Sequence, residues 1–183
     1  EKLMEDSMER KELRQFIKQK FKEMGFQSIK SCHFLMPQED YLIGFELASS
    51  SYSKGYYFEC GCLYLPDPPA MPFYGYMDLR RRFLFPLDPS QPFDIHECLR
   101  TQQYVRDCEY EKYTTEQLDR IFDANFEYYM RPFFNQEYGL QMYRDEPRRM
   151  NYNSESKVRI LCQRSGLNAE EVIPQLSGVR FGE

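Results

Sequence analysis

Apolar residues recur at helical spacing from Leu13 through Phe16, Ile17 and Phe21 to Met24, a single stripe that predicts an N-terminal amphipathic helix. Asp6 or Ser7 is placed to cap it, with Glu9 three residues after Asp6 in capping-box spacing. Gly25 predicts a left-handed stop, and Phe26 falls where a Schellman ending brings it back onto Phe21. The period then changes to two. Segments 31–37 (SCHFLMP), 40–49 (DYLIGFELAS) and 55–66 (GYYFECGCLYLP) read as strands, the last two joined as a hairpin by the turn SSSYSKG. Counting by twos puts Tyr41, Ile43, Phe45 and Leu47 on one face with Tyr56, Phe58, Cys60, Cys62 and Tyr64. The opposite face carries Gly44, Glu46, Glu59 and Gly61, with Leu42, Leu63 and Leu65 towards its outer end.

Between Pro66 and Pro92 the chain places seven of its 11 prolines, which excludes a continuous central strand because proline has no N–H for the ladder. Within that region Leu79–Phe85 (LRRRFLF) is the one convincing extended run and predicts a fourth strand. Order returns around Ile95–Leu99, and 103–113 (QYVRDCEYEKY) offers a further strand. Thr114, with Gln117 three residues on, caps a second strong helix. Its buried stripe is Leu118, Ile121, Phe122, Phe126, Tyr129, Met130 and Phe133, with a kink or end before Pro132. The polar run 143–156 reads as a linker. The tail reads as two short helices, one stopping at Gly166 and one capped by Asn168. The expected fold is α+β: an antiparallel sheet of about four to five strands with an N-terminal helix and a later long helix packed on it. Residues 1–145 form the domain, and 146–183 a linker and helical tail packed against it.

A chain of 183 residues fits one such domain and can bury a sizeable core, supplied here by 15 Phe and 15 Tyr without any Trp. The net charge of −5 argues against nucleic acid and for a basic protein partner. No apolar run has the length of a membrane span, and the charged start does not resemble a signal peptide, so a cytoplasmic protein is expected. The six Cys (32, 60, 62, 98, 108 and 162) then read as reduced thiols. Cys60 and Cys62, two apart on the aromatic face of a strand, behave as small hydrophobes.

Candidate chemistry is sparse. His96 and Cys98 sit two apart beside Asp94 and Glu97, a spacing that diverges around a helix, and no oxyanion loop accompanies them, so a nucleophile–base pair is not expected. Cys32, His33, Cys60, Cys62, His96 and Cys98 lack the paired CxxC spacing of structural zinc sites, and neither a metal nor a cofactor is expected. Arg80 and Arg82 share a strand face and suit an anionic ligand, although a charge-blunted edge strand is the simpler account. Glu46 and Glu59 become cross-strand neighbours in the counted hairpin, where solvated partners for Lys or Arg are expected rather than acid–base chemistry. The bare glycine patch beside them suits a closely packed helix. Pro72, Phe73, Tyr74 and Tyr76, in the proline-rich region, supply aromatic anchors for a partner.

The order of elements, carried by FIKQKFKEMGFQSI, HFLMPQEDYLIGFELASSSYSKGYYFECGCLYL and LRRRF, resembles an uncharacterised family of bacterial domains of unknown function. The similarity covers roughly residues 10–135. Such domains often carry Gln before the hairpin serines, where this chain has Leu47-Ala48-Ser49-Ser50. The resemblance implies an α+β domain and a role of the kind played by immunity proteins that bind a toxin. It brings no catalytic residues. The reading is therefore a non-enzymatic protein-binding domain, with an anion binder using Arg80–Arg82, or a hydrolase-like enzyme, as the alternatives.

Overall fold

The N-terminal stripe forms helix α1 (Arg10–Glu23) in a computed structural model that describes residues 8–30, 32–64, 77–149 and 155–176. Its start differs from expectation. Glu9 is the capping residue, and its N–H donates to the Glu12 carboxylate at 2.7 Å, satisfying a donor that the first turn leaves orphaned. Asp6 and Ser7 lie outside the described residues. The predicted ending is present: Gly25 adopts φ +83°, the Phe26 N–H bonds the Phe21 carbonyl at 2.9 Å, and the two rings meet at 5.0 Å.

Strands β1 (Gln27–Lys30), β2 (His33–Pro37), β3 (Tyr41–Ser49), β4 (Tyr56–Tyr64), β5 (Leu79–Arg82) and β6 (Asp107–Cys108) pair antiparallel. Their order is β1-β2-β3-β4-β5, with β6 also on β4. The hairpin register is the one that counting by twos predicts. Ile43 lies opposite Cys62, Phe45 opposite Cys60 and Leu47 opposite Phe58 on one face, while Gly44–Gly61 and Glu46–Glu59 oppose each other on the other. β1 has no apolar alternation to announce it and exists as an edge strand through its pairing with β2. The run 79–85 is a strand only to Arg82. Beyond it the buried Asn125 amide takes over the work of a neighbouring strand: its Oδ1 accepts from the Leu84 N–H at 2.8 Å and its Nδ2 donates to the Leu84 carbonyl at 2.9 Å. Phe85 then bridges to Val105.

The aromatic face of the hairpin packs on the helices. Phe45 stands at the centre, its ring 4.4 Å from Phe21 of α1, 5.8 Å from Phe58 and 5.7 Å from Phe83. Phe122 of α3 (Thr115–Asn125) packs edge-on to Phe21 at 5.5 Å. The capping box of α3 is as expected, with the Gln117 N–H donating to Thr114 Oγ1 at 3.2 Å and the Thr114 N–H to Gln117 Oε1 at 2.9 Å. The helix then widens into a π turn (Phe126–Met130) and tightens into a 3-10 turn (Arg131–Phe134) around Pro132. The expected stripe stays buried throughout.

The run 143–156 is not wholly a linker. It begins inside helix α4 (Gln136–Asp145), which buries Leu140 and Tyr143, and continues through a short turn at Pro147–Arg149. Short helix α2 (Ile95–Thr101) lies upstream, and α5 (Glu155–Ser165) and α6 (Ala169–Val172) form the tail. Val158, Leu161 and Cys162 of α5 join the main core. A buried ion pair also links the tail to the sheet. Lys157 of α5 lies 3.2 Å from Asp78 and donates to the Tyr64 carbonyl, while Asp78 accepts the Tyr64 N–H at 2.6 Å. No helix among the described residues is long and apolar enough to cross a membrane.

Candidate functional site

Opposite the aromatic core, the register lines up four charged or titratable residues across four strands. His33 pairs with Glu46, Glu46 with Glu59, and Glu59 with Arg82. His33 Nε2 meets Glu46 at 2.8 Å, and the Arg82 guanidinium closes on Glu59 Oε1 through Nη2 at 2.7 Å and Nε at 2.9 Å. Arg82 also stacks over the Tyr57 ring at 4.2 Å. The expectation of solvated carboxylates fails at Glu59, whose side chain is only 5% exposed, because β4 is a central strand buried on both faces. Burial first, then the neighbouring Glu46 carboxyl, pushes Glu59 up to about 7 against the opposing pull of Arg82. The row can therefore take up or release a proton near neutrality at Glu59.

Among the described residues the adjoining glycine patch meets Met77 and the β5 backbone rather than a helix. A Cβ on Gly44 would stand 2.1 Å from the Met77 methyl, and one on Gly61 would stand 2.0 Å from the Leu79 carbonyl oxygen. The patch thus gives room to the Met77 side chain and to the close approach of the β5 backbone.

At the other end of the hairpin the Ser-rich turn is held by its own hydroxyls. Ser50 Oγ accepts from the N–H groups of Tyr52 (3.1 Å) and Ser53 (3.2 Å), Ser53 Oγ accepts from the Gly55 N–H (2.9 Å), and the Ser50 N–H bonds the Gly55 carbonyl (3.0 Å). Gly55 is required by a close approach: a Cβ there would stand 2.1 Å from the Cys108 carbonyl oxygen. This fixed turn holds the Tyr52 side chain outward at 90% exposure. Beside it lies a hollow of about 320 Å³, lined by turn residues 52–55 and by Glu109, Tyr110, Glu111 and Lys112.

The predicted site residues are dispersed. Pro72, Phe73, Tyr74 and Tyr76 lie outside the described residues. Arg80 is exposed on the edge strand, and Arg82 is committed to Glu59 and Tyr57; Arg81 points the other way and donates to Met142 Sδ at 3.3 Å. His96 and Cys98 sit on α2, where Asp94 accepts from the His96 and Glu97 N–H groups and the His96 ring packs on Tyr128. Burial, then the Asp94 and Glu97 carboxylates, pushes the Cys98 thiol up, away from a reactive thiolate. Cys60, Cys62 and Cys108 are buried and their thiols are likewise pushed up by desolvation, and all six cysteines are free. Among the described residues no group of three or more His, Cys, Asp or Glu is placed to hold a metal ion. Sequence reasoning found the Glu pair but missed the ends of its row, because the partners of β3 and β4 are set by strands β2 and β5.

No family model, curated protein or solved structure matches the chain.

Proposed function

We propose that this chain is a protein-binding domain that engages its partner through the tip of the β3–β4 hairpin. The observation that carries the reading is Tyr52: a large aromatic side chain at 90% exposure, on a turn whose backbone is already fixed by Ser50 and Ser53. Tyrosine is a favoured interface anchor, and an ordered turn spares the entropy that a mobile loop loses on binding. The neighbouring hollow with Lys54, Glu109, Glu111 and Lys112 supplies the polar rim that surrounds such anchors. The net charge of −5 suits a basic partner, and the resemblance in element order suggests an immunity-type protein acting on a toxin. An anion-binding role for Arg80 and Arg82 has less support, since Arg82 already holds a carboxylate.

The test is site-specific photocrosslinking in the host cell, with the reactive side chain at position 52 and, as control, at the exposed Leu87 (60%). A discrete crosslinked partner at 52 and not at 87 is expected. Tyr52→Ser should weaken that partner's binding at least about 30-fold, the equivalent of a hot-spot residue, with the melting temperature unchanged. No adduct at 52, or full binding by Tyr52→Ser, refutes the reading.

A further inference from the structure

The total charge of the chain hides its uneven distribution. Helix α1 holds six Lys or Arg against two Glu within its 14 residues, in a protein of net charge −5. Lys11, Arg14, Lys18 and Lys22 are all exposed and succeed one another by three or four residues, so they form one ridge along the helix, about 16–17 Å long. Among the described residues none of the four is in an ion pair. The α1 cation with such partners is Lys20, off the ridge, at 2.5 Å from Asp119 and 2.7 Å from Asp123.

Local physics opposes this arrangement. Arg14 and Lys18, and Lys18 and Lys22, are like charges one turn apart, and Arg10 and Lys11 occupy the first turn, where the helix dipole disfavours cations; of the ridge only Lys22, in the last turn, is favoured by it. Among the described residues no ion pair offsets that repulsion, so the charges point to a ligand outside the fold.

We infer that the α1 ridge is a docking surface for the phosphate backbone of a nucleic acid, bound without reading its bases. Three features decide among polyanions. The ridge and its exposed neighbours Gln15 and Gln19 include no apolar anchor of the kind that a protein interface core or an inserting amphipathic helix uses. Four exposed ion pairs with an acidic protein segment would each contribute little. A nucleic acid instead releases condensed counterions at every phosphate contact, which turns a few exposed cations into measurable affinity. The surface is narrow, because Glu12 and Glu23 flank it on α1, while Asp119 and Asp123 beyond them are both held by Lys20. The expectation of no nucleic-acid partner rested on total charge, whereas backbone binding responds to the local array. This inference stands apart from the hairpin-tip reading.

The test is fluorescence anisotropy with a labelled mixed-sequence DNA duplex of about 20 base pairs and the full chain, titrated across salt concentrations. Four contacts predict a slope of log K against log salt of about −3 to −4. Replacing Lys11, Arg14, Lys18 and Lys22 together by Gln should weaken binding more than about tenfold at low salt and bring the slope near zero, with the melting temperature retained. The milder pair Lys18→Gln and Lys22→Gln should roughly halve the slope. Tyr52→Ser should leave duplex binding unchanged. Absence of duplex binding at low salt, an unchanged slope in the fourfold variant, or binding to phosphatidylserine vesicles or polyglutamate but not to the duplex overturns the inference.

Discussion

The two faces of the β3–β4 hairpin are built on opposite principles. One face is redundant: Phe45 packs against Phe21, Phe58, Phe83 and Phe122 at once, and its cross-strand partner Cys60 fills the remaining space. The other face is particular. Its glycines fit one methionine and one carbonyl, and its carboxylates are paired with Arg82 and His33. Apolar packing is non-directional and shared over many contacts, whereas a buried charge is tolerable only with its own partner in place. The first face should respond to lost volume and hardly to pH. The second should respond to added atoms and to protons.

The largest effect is expected on the aromatic face. Phe45→Ala removes a ring that is 1% exposed and should cost about 3–5 kcal/mol in urea unfolding, with the same cost at pH 5 and pH 8. A cost below about 1 kcal/mol would mean that this face is not the core.

The second break uses protons. Glu59 lies near the ordinary carboxylate value when unfolded and is pushed up to about 7 when folded, so between those values the folded chain holds more protons than the unfolded chain. Its contribution is fully present below about 4.5 and is lost as the pH rises through about 7, by about 3 kcal/mol at most. Asp78, raised to about 6 by burial, adds a loss of the same sign. Unfolding at stepped pH should show stability falling over this window, and Glu59→Gln should flatten the fall. An unchanged slope in that variant would remove the row as its source.

The smallest effects sharpen the contrast within the charged face itself. Gly61→Ala drives a Cβ into a backbone carbonyl and should cost about 1–3 kcal/mol. Gly44→Ala meets only the end of the flexible Met77 side chain and should cost less. Paired melting curves decide it, and the reverse order would mean that Met77, not the β5 backbone, is the rigid wall.

Much of this was already written in the residue pattern. The stop of α1 at Gly25-Phe26, the hairpin and its register, and the capping box at Thr114 were all legible, because each depends on residues close in the chain or on a strict period of two. The pairing of Glu46 with Glu59 followed from that register. The serine-rich turn was legible as a turn, but not as a platform that holds Tyr52 outward.

Tertiary structure alone decided the rest. Nothing in a single strand shows that His33 and Arg82 will end the carboxylate row, since they come from segments 13 and 23 residues away from their partners. Strand β1 lacked a pattern of its own and forms because β2 offers it a ladder edge, whereas helix α4 carries its own Asn135 cap and a buried stripe at Leu140 and Tyr143 that its polar C-terminal end obscured. Asn125 reads as an ordinary helix residue until the fold brings Leu84 beside it. Local sequence set the elements whose hydrogen bonds and apolar stripes are satisfied within themselves. Assembly decided where a buried charge or an unpaired backbone group had to find its partner from elsewhere in the chain.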